Sequence, residues 1–180
     1  RALRSRPRAQ RRRKRGHPSR SRRQHDWDLA CGLEERVARG MARVIALDAG
    51  VFIALLDGND AHHDWAVDFF IHSTGSELVA SALTLAEILV HPAKNGTADR
   101  FADRLSGLHL RVVSIDGADS SALAKLRAES GLRMPDVVVL HTALTHAQAL
   151  ATTDESLAGQ AETRGLAVFR PATHALGVSA

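Results

Sequence analysis

The sequence predicts an α/β fold around a mostly parallel central sheet. Three observations carry that expectation: short apolar runs too brief to be helices, helical stretches between them, and acidic residues at or just beyond the ends of two of those runs. Strands alternating with helices are the pattern of βαβ units, whose crossovers cover both faces of a parallel sheet. Ligands of such sheets sit beyond the carboxyl ends of the strands, which is where Asp48 and Asp154 fall.

The elements follow in order from Arg43. Val44–Leu47 is a short apolar run, expected as a buried parallel strand. Residues 51–56 form a short helix, stopped by the turn-forming Asp57, Gly58, Asn59 and Asp60. Residues 61–73 are helical, with Trp65, Phe69 and Phe70 on the apolar face, and residues 77–80 are the second strand. Residues 83–91 form a helix expected to end before Pro92, because proline disfavours helix in the residue preceding it. Residues 97–105 are helical and 110–115 a strand; 119–130 are a helix closed by Gly131. Residues 135–149 make a long helix with Pro135 in its first turn, where a missing N–H costs little. A strand at 150–152, a helix at 155–164 ended by Gly165, and a last strand at Ala167–Phe169 complete the pattern.

Charge divides the chain. Residues 1–23 carry twelve Arg or Lys and no acid, and residues 1–40 hold fourteen basic and four acidic side chains. Of the 24 basic and 20 acidic residues in the whole chain, ten and sixteen remain for residues 41–180, a balance near −6. The high isoelectric point therefore belongs to residues 1–40, not to the part with the strand–helix pattern. Residues 1–25 carry almost no apolar side chain to offset the entropy of ordering and are expected to be disordered; residues 26–40 suit a short helix. The basic run suits phosphate attraction without sequence preference, but the preferred reading is translated sequence upstream of a true start at Met41. The domain is expected to span residues 41–180. Cys31, the only cysteine, excludes an intramolecular disulfide and a cysteine-rich zinc site, which fits a reducing cytoplasm. No apolar run reaches the roughly 18 residues of a membrane helix, and no hydrophobic stretch follows the basic start as in a secretory signal.

Four acids stand out: Asp48, Glu87, Asp136 and Asp154. Glu87 lies in the middle of 82–90, a helix otherwise apolar nearly all round, where a lone carboxylate is costly to bury and a shared cation is one remedy. Thr84, Glu87 and His91 form the polar stripe of that helix. Asp136 lies in the first turn of the long helix, where the dipole favours an anion. Asp48 and Asp154 each end a strand, and Asp154 equally suits a helix cap. Carboxylates suit hard divalent cations, which acidify bound water and stabilise the attacking and leaving oxygens of a phosphodiester.

Val44-Ile45-Ala46-Leu47-Asp48, Thr84-Leu85-Ala86-Glu87, Met134-Pro135-Asp136 and Thr152-Thr153-Asp154 resemble, in their order, the acidic motifs of PIN domains. The small single-domain form looks like a VapC-type toxin of a toxin–antitoxin pair. The resemblance covers most of residues 43–171. It implies a PIN-like α/β/α sandwich and a metal-dependent endoribonuclease, with Asp48, Glu87, Asp136 and Asp154 as metal-binding and catalytic acids around Mg²⁺ or Mn²⁺. Thr152 is the implied hydroxyl that supports them. An RNA substrate, a cognate antitoxin covering the site, and a homodimer are implied as well. The family often carries Ser or Thr after its first acid; Ala49 stands there here.

Other residues suggest less. His62 and His63 are read as surface or packing residues. His141 and His146 are five apart, the wrong spacing for one helical metal face. Glu155 is expected to face solvent, and Arg133 to be a solvated loop charge or a contact for RNA phosphate. Two other functions compete: a PIN-like module that binds RNA or a partner without cutting, and a haloacid-dehalogenase-like phosphatase. The latter normally wants a second Asp two positions after the first, where Gly50 stands.

Overall fold

The computed structural model describes residues 44–172. The expectations for residues 1–40 and for a start at Met41 lie outside the described residues.

Five strands form one sheet: β1 (Val44–Leu47), β2 (Glu77–Ser81), β3 (Leu110–Val113), β4 (Ala149–Ala151) and β5 (Ala167–Phe169). Their order is β3-β2-β1-β4-β5 and every pairing is parallel. The expected sheet was mostly parallel; the described one is wholly so. Ile45, Ala46 and Leu47 of β1 and all three residues of β4 are buried, as strands covered on both faces require. β3 is an edge, and Arg111 on it forms an ion pair with Glu77 of β2, a charge of the kind that discourages further strand addition.

Among the described residues seven α-helices accompany the sheet: α1 (Ala49–Leu56), α2 (His63–His72), α3 (Ala82–Lys94), α4 (Ala98–Ser106), α5 (Ser120–Ser130), α6 (Met134–His146) and α7 (Glu155–Glu162). α6 packs on β1, β2 and β4 and supplies Val137, Val138, Val139, Leu140 and Ala143 to the core. α2 brings Phe69, fully buried, against Phe169 of β5 at a ring separation of 5.6 Å, with Trp65 and Phe70 also in contact with it. The aromatic face predicted for α2 is present.

Most boundaries differ from expectation by a residue or more, and three of them bear on the packing. α3 does not stop before Pro92 but runs on to Lys94. Pro92 is buried in the final turn, where only one intrahelical bond is forfeited, and its carbonyl accepts the Thr97 amide at 2.9 Å. α6 ends at His146, not 149, because Ala149 is already paired with Ile45 of β1. β3 ends at Val113, and a short 3₁₀ turn, Gly117–Asp119, precedes α5. Gly131 closes α5 in the left-handed conformation, φ 71°, as predicted.

Candidate active site

The chain turns in opposite directions from β1, toward β2 on one side and β4 on the other. This is a topological switch point, where the strand ends leave a crevice. Asp48 follows β1 there, and its amide donates to the Ala151 carbonyl of β4 at 3.0 Å, tying the two strand ends together. Thr152 follows β4. Its amide is fixed by the Phe169 carbonyl of β5, and its side chain is completely buried.

The Thr152 hydroxyl joins two of the predicted acids. It donates to Asp48 Oδ2 at 2.8 Å and accepts from the Asp154 amide at 3.0 Å. Asp154 is exposed, and its Oδ1 accepts from the Leu157 amide at 2.8 Å, so it does cap α7. Capping and membership of the site are compatible, since Asp154 also bears electrostatically on Asp48 and Asp136.

Glu87 reaches the crevice from α3. The start of that helix is set at the end of β2, where the Ser81 hydroxyl accepts from the Thr84 amide at 3.0 Å and meets the Thr84 hydroxyl at 2.9 Å. Six residues into the helix, Glu87 is half-buried, as predicted. His91, the last member of the predicted polar stripe, is exposed beside Asn95 and serves no acid. Asp136 is half-buried in the first turn of α6, its carboxylate bonded to the Arg133 amide.

The electrostatics link all four acids. Burial pushes the Asp48 carboxyl up, hydrogen bonds from Thr152 and the Ala49 amide pull it back, and Asp136 and Asp154 push it up again. Burial, then Asp48 and Asp136, raise Glu87. Burial and Asp154 raise Asp136, against the Arg133 amide bond and its positive charge. Asp48, Glu87 and Asp136 are thus harder to ionise, first because they are buried and then because other acids are near.

A cation would relieve this repulsion, and the donors are the hard oxygens that Mg²⁺ and Mn²⁺ prefer. Among the described residues no three acid or histidine side chains converge on one point as placed. That loose arrangement suits a hydrated ion, since Mg²⁺ takes one or two carboxylates and keeps several waters. The residues therefore fit the implied group.

The remaining candidates lie elsewhere. His63 Nδ1 donates to the Ala54 carbonyl at 2.8 Å and braces α2 on α1, while His62 is exposed. Glu155 is exposed and ion-paired with Arg170 at 3.0 Å. His141 faces Asp119 at 3.1 Å, a pair the sequence reading missed because nothing in the spacing of 119 and 141 announces it. Gly50 was read only as a missing acid. A Cβ there would meet the Thr153 hydroxyl unless that side chain turned away.

A model of the PIN domain matches residues 45–162. The chain belongs to the PIN domain family. Its fold is similar to that of a toxin–antitoxin complex from Klebsiella pneumoniae, at 24% identity and a TM-score of 0.54 over 64% of this chain and 91% of that one. It is similar to FitAcB from Neisseria gonorrhoeae, at 22% identity and a TM-score of 0.56 over 69% and 96%. It is also similar to VapC20 of Mycobacterium tuberculosis, described as a sarcin–ricin loop cleaving toxin, at 19% identity and a TM-score of 0.55 over 71% and 99%. At these identities the likeness is one of fold. No curated protein matches the chain. Among the described residues no helix is long and apolar enough to cross a membrane.

Proposed function

We propose that this PIN domain is a metal-dependent endoribonuclease and the toxin of a type II toxin–antitoxin pair, acting in the cytoplasm on RNA phosphodiester bonds. The supporting observation is the electrostatic coupling of these acids at the switch point of a parallel sheet: Asp136 and Asp154 act on Asp48, Asp48 and Asp136 on Glu87, and Asp154 on Asp136. Asp48, Glu87, Asp136 and Asp154 are the proposed metal-binding and catalytic acids, and Mg²⁺ or Mn²⁺ the proposed cofactor. The bound cation would acidify a water and stabilise the charge on the phosphate oxygens. The chain's own groups do the rest. Thr152 orients Asp48, the amide of Arg133 holds Asp136, and an ionised carboxylate of the set takes the proton of the attacking water. The exposed Arg133 guanidinium stands near Asp136, where a phosphate would approach.

A module that only binds RNA or a partner has no need of four carboxylates kept together against their repulsion. Incubating RNA with the purified chain separates the two readings. Cleavage is expected with Mg²⁺ or Mn²⁺, and none with EDTA or in the Asp48→Asn and Asp136→Asn variants. Near wild-type cleavage by both variants would sink the assignment.

The partners follow from the same reading. The chain is proposed to form a homodimer and to be covered by a small antitoxin, one of whose Arg side chains meets the carboxylates in a bidentate pair. Light scattering should show a dimer that takes up the product of the neighbouring reading frame. A monomer at every concentration, with no such uptake, would count against it.

A further inference from the structure

Two consecutive hydroxyls, Thr152 and Thr153, follow β4, and only the first has been given a role above. The second sits over Gly50. A methyl group at position 50 would collide with Thr153 Oγ1 and would lie 3.5 Å from Asp48 Oδ2, with Thr153 Cβ further back at 3.7 Å. The hydroxyl of Thr153 therefore turns toward the hollow left by the missing side chain, and the Asp48 carboxylate borders the same hollow. The oxygen concerned, Oδ2, is the one that accepts from Thr152. Asp48 is thus flanked by adjacent hydroxyls of one short turn, and the flank at Thr153 exists only because residue 50 is glycine.

We propose that Thr153 is a positioning residue for Asp48, its hydroxyl seated in the Gly50 hollow to fix the carboxylate through one bridging water in the orientation that binds the cation. The proposal rests on the cation-dependent reading above. The carboxylate is half-buried at a strand end with one side-chain donor already on Oδ2. A water held between the Thr153 hydroxyl and this carboxylate would restrict rotation about the Cβ–Cγ bond, so the lone pairs stay aimed into the crevice. Gly50 has a steric part in this. A side chain at 50 would be accommodated by Thr153 rotating about χ1, at little cost in stability, but the rotation carries the hydroxyl away from Asp48. Substitution at 50 and loss of the hydroxyl at 153 should therefore have one and the same consequence.

The test is calorimetric titration of Mn²⁺ into the full chain, with RNA cleavage as a second readout. Thr153→Val, which keeps the shape and removes the hydroxyl, should weaken Mn²⁺ binding on the order of 10-fold, the scale seen when partners that orient metal ligands are removed. Gly50→Ala should match it, and the double variant should be no worse than either single one, because the two changes remove the same interaction. Thr153→Ser should bind as wild type does. Thermal unfolding without metal should change little in Thr153→Val, which separates positioning from packing. If wild type binds Mn²⁺ and Thr153→Val binds it equally well, the inference is wrong, as it is if the two single losses multiply in the double variant. A wild-type chain that binds no Mn²⁺ overturns the cation-dependent reading itself, a failure that the wild-type titration alone identifies.

Discussion

Asp48 is the residue at which the constraints of the site meet. It is held by a buried threonine, penalised by burial, and opposed by two neighbouring carboxylates. Its raised pKa fixes the sign of a stability effect. The folded state binds the Asp48 proton more tightly than the unfolded chain does, so this group costs stability as pH rises out of the ordinary carboxylate range. At neutral pH without metal, Asp48→Asn should therefore melt a few degrees above wild type, while Mn²⁺ should raise the melting temperature of wild type only. A variant that melts well below wild type without metal would show that the charge is compensated within the protein. Thr152→Val tests the other side of the same bond. It removes a fully buried hydroxyl with two partners, and denaturant unfolding should report a loss of about 1–3 kcal/mol. A loss within error would mean that the hydroxyl adds nothing net. The positions of Asp48, Asp154 and Asp136 were legible as strand-end and helix-start carboxylates, and that of Glu87 as the acid inside an apolar helix, because backbone position is what chain order encodes. The Gly50 hollow was not, since a close approach between residues 50 and 153 exists only after β1 and β4 have paired.

At the scale of elements, the helix ends were read less well than the helices, and the reasons are local. Pro92 disfavours helix for its predecessor, but tertiary burial of its ring in the last turn outweighs that preference. The end of α6 is decided by β4 pairing with β1, a contact more than a hundred residues away in sequence from residue 45. The 3₁₀ turn Gly117–Asp119 ahead of α5 is closed by a capping box, where the sequence pattern alone put the helix start at 119. Asp116 accepts from the Ala118 amide at 2.7 Å, and Asp119 accepts from the Asp116 amide at 3.0 Å while facing His141 of α6. The Asp116 amide first, and His141 second, hold the Asp119 carboxyl below the usual carboxylate range. A lowered pKa in the folded state means stabilisation that is present above the unfolded value and lost as pH falls through the folded one. Asp119→Ala should accordingly melt below wild type at neutral pH, and the gap should narrow as the solution is acidified through the carboxylate range. A gap independent of pH would assign the effect to lost packing rather than to the ionised carboxylate.

For the whole molecule, the question raised by the proposed function is how a domain with a balance near −6 would attract RNA. The four acids add to that deficit, and several basic side chains are engaged with acids: Arg111 with Glu77, Arg164 with Glu129, and Arg170 with Glu155 and Glu162. The sequence supplies an opposite charge in residues 1–40, with fourteen basic side chains against four acids. The fold does not depend on them, on our proposal, because β1 begins at Val44 and all four acids follow it. A chain of residues 41–180 alone should then fold and cut RNA at moderate salt as the full chain does. At low salt the two should diverge. Basic side chains release counterions when they neutralise phosphates, so the full chain should bind RNA more tightly there and lose that advantage more steeply as salt rises. Binding of a non-cleavable RNA, measured across a salt series for both chains, gives the two slopes. Equal slopes would remove the basic segment from RNA binding. A shortened chain that is unfolded or inactive at moderate salt would put residues 1–40 inside the domain and move the proposed boundary at residue 41.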